Sequence, residues 1–377
     1  MAYFDNSATT AVCREAIDEM VRVMRDVYGN PSSLHTMGVR AEAELQNARA
    51  AVAELIGAKA ENVTFTSGGT EANNLAILGA AEACRRKAHV AVTTMIEHPS
   101  VAACFDELEK QGWQVTRVAP RADGTVTPEQ IAAACTAETT LVSVMAVNNE
   151  TGAQMDIPEM VELVRECAPQ AIFHTDCVQA AGKLPIKTER WGVDLLTVSS
   201  HKIHGPKGCG ALYVRRGARV LPRQIGGGQE KGLRSGTEAV PAIVGFGAAA
   251  AAVKPFAEQR AHYERLKTVL CEALADAEGV RWHLPPGGVP YIVHLSLPGL
   301  RSETVLHYLE EKGMYVSSGS ACSKGRHSSV LGAMGLPNDE IDSSLRISFC
   351  MANTEDDVRQ LAEALLGAMS ALQRRRS

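Results

Sequence analysis

No stretch of this chain stays apolar for the roughly 20 residues that a membrane-spanning helix needs. Residues 1–10 also lack the charged-then-apolar layout of an export signal, so a soluble, cytoplasmic protein is expected. Aromatic residues are scarce at 5%, too few for the stacked platforms that hold single-stranded nucleic acid. Charge of one sign is lacking too: 38 Lys and Arg against 43 Asp and Glu leave a formal net charge of -5. Neither nucleic acid nor an anionic membrane is therefore expected as the main partner. The 10 cysteines contain no CxxC pair, and the two nearest in sequence are Cys167 and Cys177. That excludes the usual zinc and redox motifs, so no metal site is expected, and in a reducing cytosol no disulfide framework either. Internal repeats and low-complexity tracts are absent.

What is present is length, glycine and strand-forming runs. At 377 residues, with 45% hydrophobic content and 32 glycines, the chain suits a glycine-rich α/β protein of about two domains. Short β-branched runs at residues 63–66, 90–94, 115–118, 141–147, 171–175, 195–199 and 211–214 alternate with amphipathic or alanine-rich stretches. This spacing predicts a mostly parallel seven-stranded sheet flanked by helices, with ligands beyond the carboxyl ends of its strands. Helices are expected at 11–27 and 38–55 before the sheet, and at 239–275 after it, the last able to bend at Pro255. A second, smaller α+β unit follows, with strands at 291–297, 314–317 and 345–348 and helices at 302–312 and 354–372.

The residues with chemical potential cluster at the predicted strand ends. Lys202 follows the strand at 195–199 in the run Ser-Ser-His-Lys-Ile-His-Gly-Pro-Lys-Gly, surroundings suited to holding an aldehyde cofactor as a Schiff base. Residues 66–74, with Gly69 and Thr70, end a strand and open a helix. They form either an anion site at the helix N-terminus or an ordinary glycine turn with a threonine cap. Asp176 closes an apolar strand, where a buried carboxylate needs a cation such as a protonated pyridine nitrogen, unless it serves as a helix cap. His98 stands at another strand end before Pro99, in a structural or a catalytic role. Asn149 lies in the turn after a third strand. In the smaller unit Cys322 is set among small polar residues, with Lys324, Arg326 and His327 nearby to stabilise a thiolate, a setting that favours a reactive over a structural cysteine.

Taken in order, these segments resemble the pyridoxal-phosphate-dependent cysteine desulfurases of the class-V aminotransferase family, long-loop type. The resemblance runs through 4–10, 29–33, 66–74, 97–98, 148–150, 176, 199–202, 226–230, 234–237, 318–322 and 346–348, nearly the whole chain. It implies a fold-type I pyridoxal-phosphate (PLP) transferase. Residues 13–254 would form the large cofactor-binding domain, and 1–12 with 255–377 the small domain carrying the cysteine loop. By the same resemblance Lys202 would bind the cofactor and later carry the substrate's α-proton, Asp176 would pair with the ring nitrogen, and His98 would stack on the ring and transfer protons. Gln179 would meet the ring hydroxyl. Thr70, Ser199 and His201 would hold the phosphate, with Thr237 reaching in from the second subunit of a homodimer. Asn149 and Arg346 would fix the substrate carboxylate, and Cys322 would take the sulfur of L-cysteine as a persulfide, releasing L-alanine. The sulfur would pass to an acceptor, an iron-sulfur scaffold or a thiolating enzyme for transfer RNA or a cofactor.

Three other readings fit parts of the pattern: a selenocysteine lyase, an aminotransferase that dispenses with Cys322, and a scaffold whose catalysis has decayed. The intact set of Lys202, Asp176, His98 and Cys322 disfavours the last. The stretch between Cys322 and Val330 is a little shorter than in many relatives, and no second arginine follows Arg346–Ser348. Both departures bear on the acceptor, which the sequence does not name. Cys177 and Cys350 read as packing residues.

Overall fold

The computed structural model describes residues 1–319 and 327–372. The chain begins with a short strand, β1 (Ala2–Tyr3), and then enters two helices, Arg14–Asp26 and Thr36–Leu55. The large sheet comprises β2 (Val63–Thr66), β3 (Val90–Thr94), β4 (Gln114–Val118), β5 (Thr139–Ser143), β6 (Ile172–Asp176), β7 (Leu195–Ser199) and β8 (Gly210–Val214). Their order in space is β2-β8-β7-β6-β5-β3-β4, with β8 antiparallel to both its neighbours and every other pairing parallel. The seven runs expected from the sequence are thus the seven strands observed. Strands β2, β5, β6 and β7 are buried along essentially their whole length, as a sheet covered on both faces requires. The edge strand β4 alternates exposure, and its Arg117 is clasped by Asp106 and Glu109 of the helix Pro99–Lys110 at 2.6 to 2.9 Å. A charged, engaged side chain of this kind discourages further strand pairing at the edge.

The helix expected at 239–275 is two helices, Val240–Ala251 and Phe256–Ala273, bent by 80°. Pro255 stands just before the second, where its missing N–H costs nothing because the first helical donors have no partner in any case. No single helix among the described residues is long and apolar enough to cross a membrane.

Strands β9 (Arg281–Trp282), β10 (Ile292–Ser296), β11 (Met314–Tyr315), β12 (Ser317–Ser318) and β13 (Ser344–Ser348) build the second part. The run expected as one strand at 314–317 divides between two sheets: β11 pairs with β1, and β12 joins β13, β10 and β9 in an antiparallel sheet. The N-terminal segment is stitched to that sheet. Phe4 donates to Tyr315 O at 2.7 Å, Ser348 N donates to Phe4 O at 2.6 Å, and the Asn6 amide donates to Ser348 O at 2.9 Å. This stitching carries residues 5–10 across the carboxyl ends of β6 and β7.

Candidate active site

A cavity of about 410 Å³ opens between those strand ends and the antiparallel sheet. The parallel strands beside it deliver side chains from their last residues or from the segments that follow them. Asp176 ends β6 and Ser199 ends β7, while Met145, Val147 and Asn149 follow β5 and His98 follows β3. Strands β12 and β13 close the far wall with Ser317, Ser318 and Arg346.

Lys202 sits in a single tight turn, Ser200–Lys202, immediately after β7. Its Nζ donates to the carbonyl of Ser7 and, at 2.8 Å, to that of Ala8. Burial, then the nearby charges of Lys183 and Arg346, pull its ammonium down to about 7 against the smaller opposing effect of Asp5 and Asp176. An amine free of its proton near neutrality is a nucleophile.

Asp176 is buried, its Oδ1 accepting from Val178 N at 2.9 Å and its Oδ2 from Asn73 Nδ2 at 2.8 Å. No helix starts behind it, so the helix-cap alternative fails; the carboxylate turns the chain locally and lines the cavity. His98 does precede a helix. Its Nδ1 accepts from Ser100 N at 3.2 Å, so the structural and the cavity-lining roles coincide in one residue. Burial lowers its affinity for a proton, with Asp176 opposing and Lys202 adding to that effect.

Gly69 begins the helix Gly69–Ala83, and its first residues, Gly69 and Thr70, line the cavity, where a helix N-terminus offers N–H groups without intrahelical partners. A Cβ there would sit 3.1 Å from the Val178 side chain, which would have to give by a few tenths of an ångström, so glycine suits the close approach of this turn to the segment after β6. Thr70 and His201 share this end. His201 bonds Thr9 Oγ1 through Nδ1 at 3.1 Å, and burial together with Lys202 and Lys207 pulls it down to about 4. Gln179 donates to Ser7 O at 2.9 Å. The Oε1 of Gln179 and the hydroxyls of Ser199 and Ser7 are buried without a hydrogen-bond partner among the described residues.

On the opposite wall the Arg346 guanidinium holds Asp5 at 2.7 Å and the carbonyl of Asn149 at 2.9 Å, and its Nε is buried without a partner among the described residues. The structure therefore brings together Lys202, Asp176, His98, Gly69, Thr70, Gln179, Ser199, His201, Asn149 and Arg346. Thr237 is exposed and lies outside this cavity in the single chain. Cys322 lies outside the described residues; Gly319, the last residue before that segment, lines the cavity. Cys177 and Cys350 are buried, and burial pushes both thiols up, the inert setting expected of packing cysteines.

Sequence reasoning passed over Asn73, Ser100, Ser7 and Glu150. Asn73 carried a signal: it is an amide among Ala72, Leu75 and Ala76 on the buried side of a helix, and a buried amide must find partners. Ser7 and Ala8 carried none, because their contribution is a backbone carbonyl.

The model of the aminotransferase class-V family matches residues 2–361. The cysteine desulfurase of Trichormus azollae is 41% identical over 96% of this chain and 91% of that protein. Among solved structures, a NIFS-like protein superposes with a TM-score of 0.93 at 35% identity, covering 98% of this chain and all of that one. SspA in complex with cysteine superposes with a TM-score of 0.82 at 31% identity, covering 93% and 99% of the two chains. The chain belongs to the class-V aminotransferase family and, within it, to the cysteine desulfurases.

Proposed function

We propose that this cavity binds pyridoxal 5'-phosphate and L-cysteine and moves the sulfur of cysteine to Cys322, leaving L-alanine. The observation that carries the reading is the meeting, in one cavity, of a lysine whose pKa is pulled down to about 7, a buried carboxylate and several buried polar atoms without partners among the described residues. Native proteins rarely leave such atoms unsatisfied, so a polar ligand is expected to complete them. The donor set fits the cofactor. Asp176 has no salt bridge among the described residues and would hold the ring nitrogen, Gln179 the ring hydroxyl. Gly69, Thr70, Ser199 and His201, at the helix N-terminus, would hold the phosphate.

When bound, the cofactor supplies an electron sink for the electron pair left behind by the α-proton. The protein's own groups do the rest. Lys202 carries the α-proton away and returns it, the Arg346 fork and Asn149 fix the substrate carboxylate, and the Cys322 thiolate attacks the substrate sulfur. The balance closes: one S–S bond forms, the Cβ–S bond of cysteine breaks, and protons complete alanine. SspA, solved with cysteine bound, supports this choice of substrate.

A homodimer is part of the reading, with Thr237 contributed across the interface. Support comes from an exposed apolar stripe on helix Arg14–Asp26, Ile17, Val21 and Met24, extended by Tyr28, Leu34 and Val39. So is the division into a large unit, 13–254, and a small unit of 1–12 with 255–377, which shares the cavity wall. We place the protein in the cytoplasm and take its sulfur acceptor to be an iron-sulfur scaffold or a thiolating enzyme.

The test is peptide mapping. After L-cysteine treatment without reductant, a persulfide should sit on the Cys322 peptide; after borohydride trapping, the cofactor should sit on the Lys202 peptide, with alanine as product. A persulfide elsewhere, or full sulfide release by Cys322→Ser, would overturn the reading.

A further inference from the structure

The cavity histidine is held by a chain of hydrogen bonds whose direction can be read. His98 Nδ1 lies 3.2 Å from the N–H of Ser100, and a backbone N–H only donates. That nitrogen therefore keeps its lone pair, and the proton of a neutral ring sits on Nε2. The Ser100 hydroxyl lies 2.8 Å from the same Nδ1 and accepts from Asn73 Nδ2 at 2.9 Å, so its own proton is directed at the histidine. The Asn73 amide cannot be reversed, because its Nδ2 also donates to Asp176 Oδ2 at 2.8 Å and a flipped oxygen would face the carboxylate. Asn73 thus fixes Ser100, and Ser100 fixes His98.

The same arrangement works against an imidazolium. A second ring proton would have to sit on Nδ1, facing the Ser100 N–H and displacing a hydroxyl proton that has no other acceptor among the described residues. His98 also caps the N-terminus of the helix Pro99–Lys110, whose dipole repels positive charge. A helix N-terminus holds a histidine neutral, as an electrophile, in at least one well-understood enzyme. The charged groups acting on the ring are Asp176 from β6 and Lys202 from the turn after β7, and they oppose each other. Nε2 makes no hydrogen bond among the described residues, and His98 lines the cavity.

We propose that Asn73 and Ser100 are positioning residues that hold His98 neutral with its proton on Nε2, so that it acts on bound substrate as a hydrogen-bond donor and leaves proton abstraction to Lys202. The catalytic consequence rests on the desulfurase reading; the tautomer does not.

The experiment is nitrogen NMR of the holoenzyme carrying isotope-labelled histidine, without L-cysteine. The His98 signals are assigned among the 11 histidines by their loss in His98→Gln. The expected spectrum shows an unprotonated Nδ1 and a protonated Nε2 at neutral pH, with the ring taking up its second proton only below the ordinary histidine range. In Ser100→Ala the loss of one hydrogen bond to the neutral ring should raise its titration by about one pH unit. Ser100→Thr, which restores the hydroxyl, should return the wild-type spectrum. A proton on Nδ1 in the unaltered protein would overturn the proposal whether or not the variants fold, and so would a Ser100→Ala spectrum identical to wild type. Because no substrate is present, this outcome is separate from whether a persulfide forms on Cys322.

Discussion

Lys202 is half-buried and Lys183 buried, and loss of solvent pulls both below the ordinary lysine range, to about 7 and about 8. Their company differs. Lys202 stands at the end of a parallel strand, donates to the carbonyls of Ser7 and Ala8, and shares a cavity with Asp176 and His98. Lys183 lies 5.2 Å from the centre of the Tyr291 ring, with no carboxylate partner among the described residues. The two also face a second cavity together, but no hydrogen bond joins them among the described residues, and Lys183 is the largest charge that lowers Lys202. A depressed pKa therefore marks burial, and it becomes chemistry only where convergent polar groups give the free amine something to act on.

The largest effect expected from breaking this contrast is at Lys202. Lys202→Ala should lower alanine formation from L-cysteine by about 10³-fold or more, as loss of a positioned nucleophile and proton carrier does. Lys183→Met should stay within about threefold at neutral pH, since only a through-space charge is lost. Steady-state alanine assays on the two variants, at equal cofactor occupancy, check both.

This contrast was half legible in the sequence. Lys202, Asp176 and His98 could be found because β-branched runs announce strands, parallel sheets collect ligands at strand ends, and these side chains stand one to four residues beyond a run. Lys183 falls in no such place and offers no such signal. The direction of β8 was not legible, because a run of buried residues carries no polarity. The grip of the N-terminal segment on Lys202 was not either, since it is made by carbonyls that any residue would supply at positions 7 and 8. The break after Ala251 was foreseen at Pro255 as a bend. Its size, 80°, depends on how the second helix packs, which the local sequence does not encode.

A third buried cation sharpens the comparison by being fully paired. Arg49 grips Glu230 through two bonds of 2.7 and 2.8 Å, and Glu230 also accepts from Phe65 N at 3.0 Å. Both side chains are almost wholly withdrawn from solvent, at 9% and 3% exposure. Glu230→Gln would leave the guanidinium charged and uncompensated, so unfolding in urea should show a loss of about 3–5 kcal/mol. The pair lies outside the cavity, so the activity of the molecules still folded should be unchanged.

Lys183→Met carries the smallest effect and the most discriminating one. The native pKa of Lys183, about 8, lies below its ordinary value of 10.5, so the unfolded chain holds that proton more tightly than the folded one. Wild-type stability must then rise with pH between about 8 and about 10.5, and the burial penalty is full below about 8. Methionine carries no such penalty. The variant should be more stable than wild type by about 1–3 kcal/mol below pH 8, with the gain fading as pH approaches 10.5, readable from urea midpoints across pH. Removing this charge should also let the Lys202 pKa rise, because Lys183 depresses it. The acid limb for uptake of pyridoxal phosphate by the cofactor-free protein, which needs the neutral amine, should therefore move to higher pH. If Lys183→Met instead destabilised the fold and lost turnover as deeply as Lys202→Ala, the two lysines would belong to one site, and the line drawn between buried and convergent would fall.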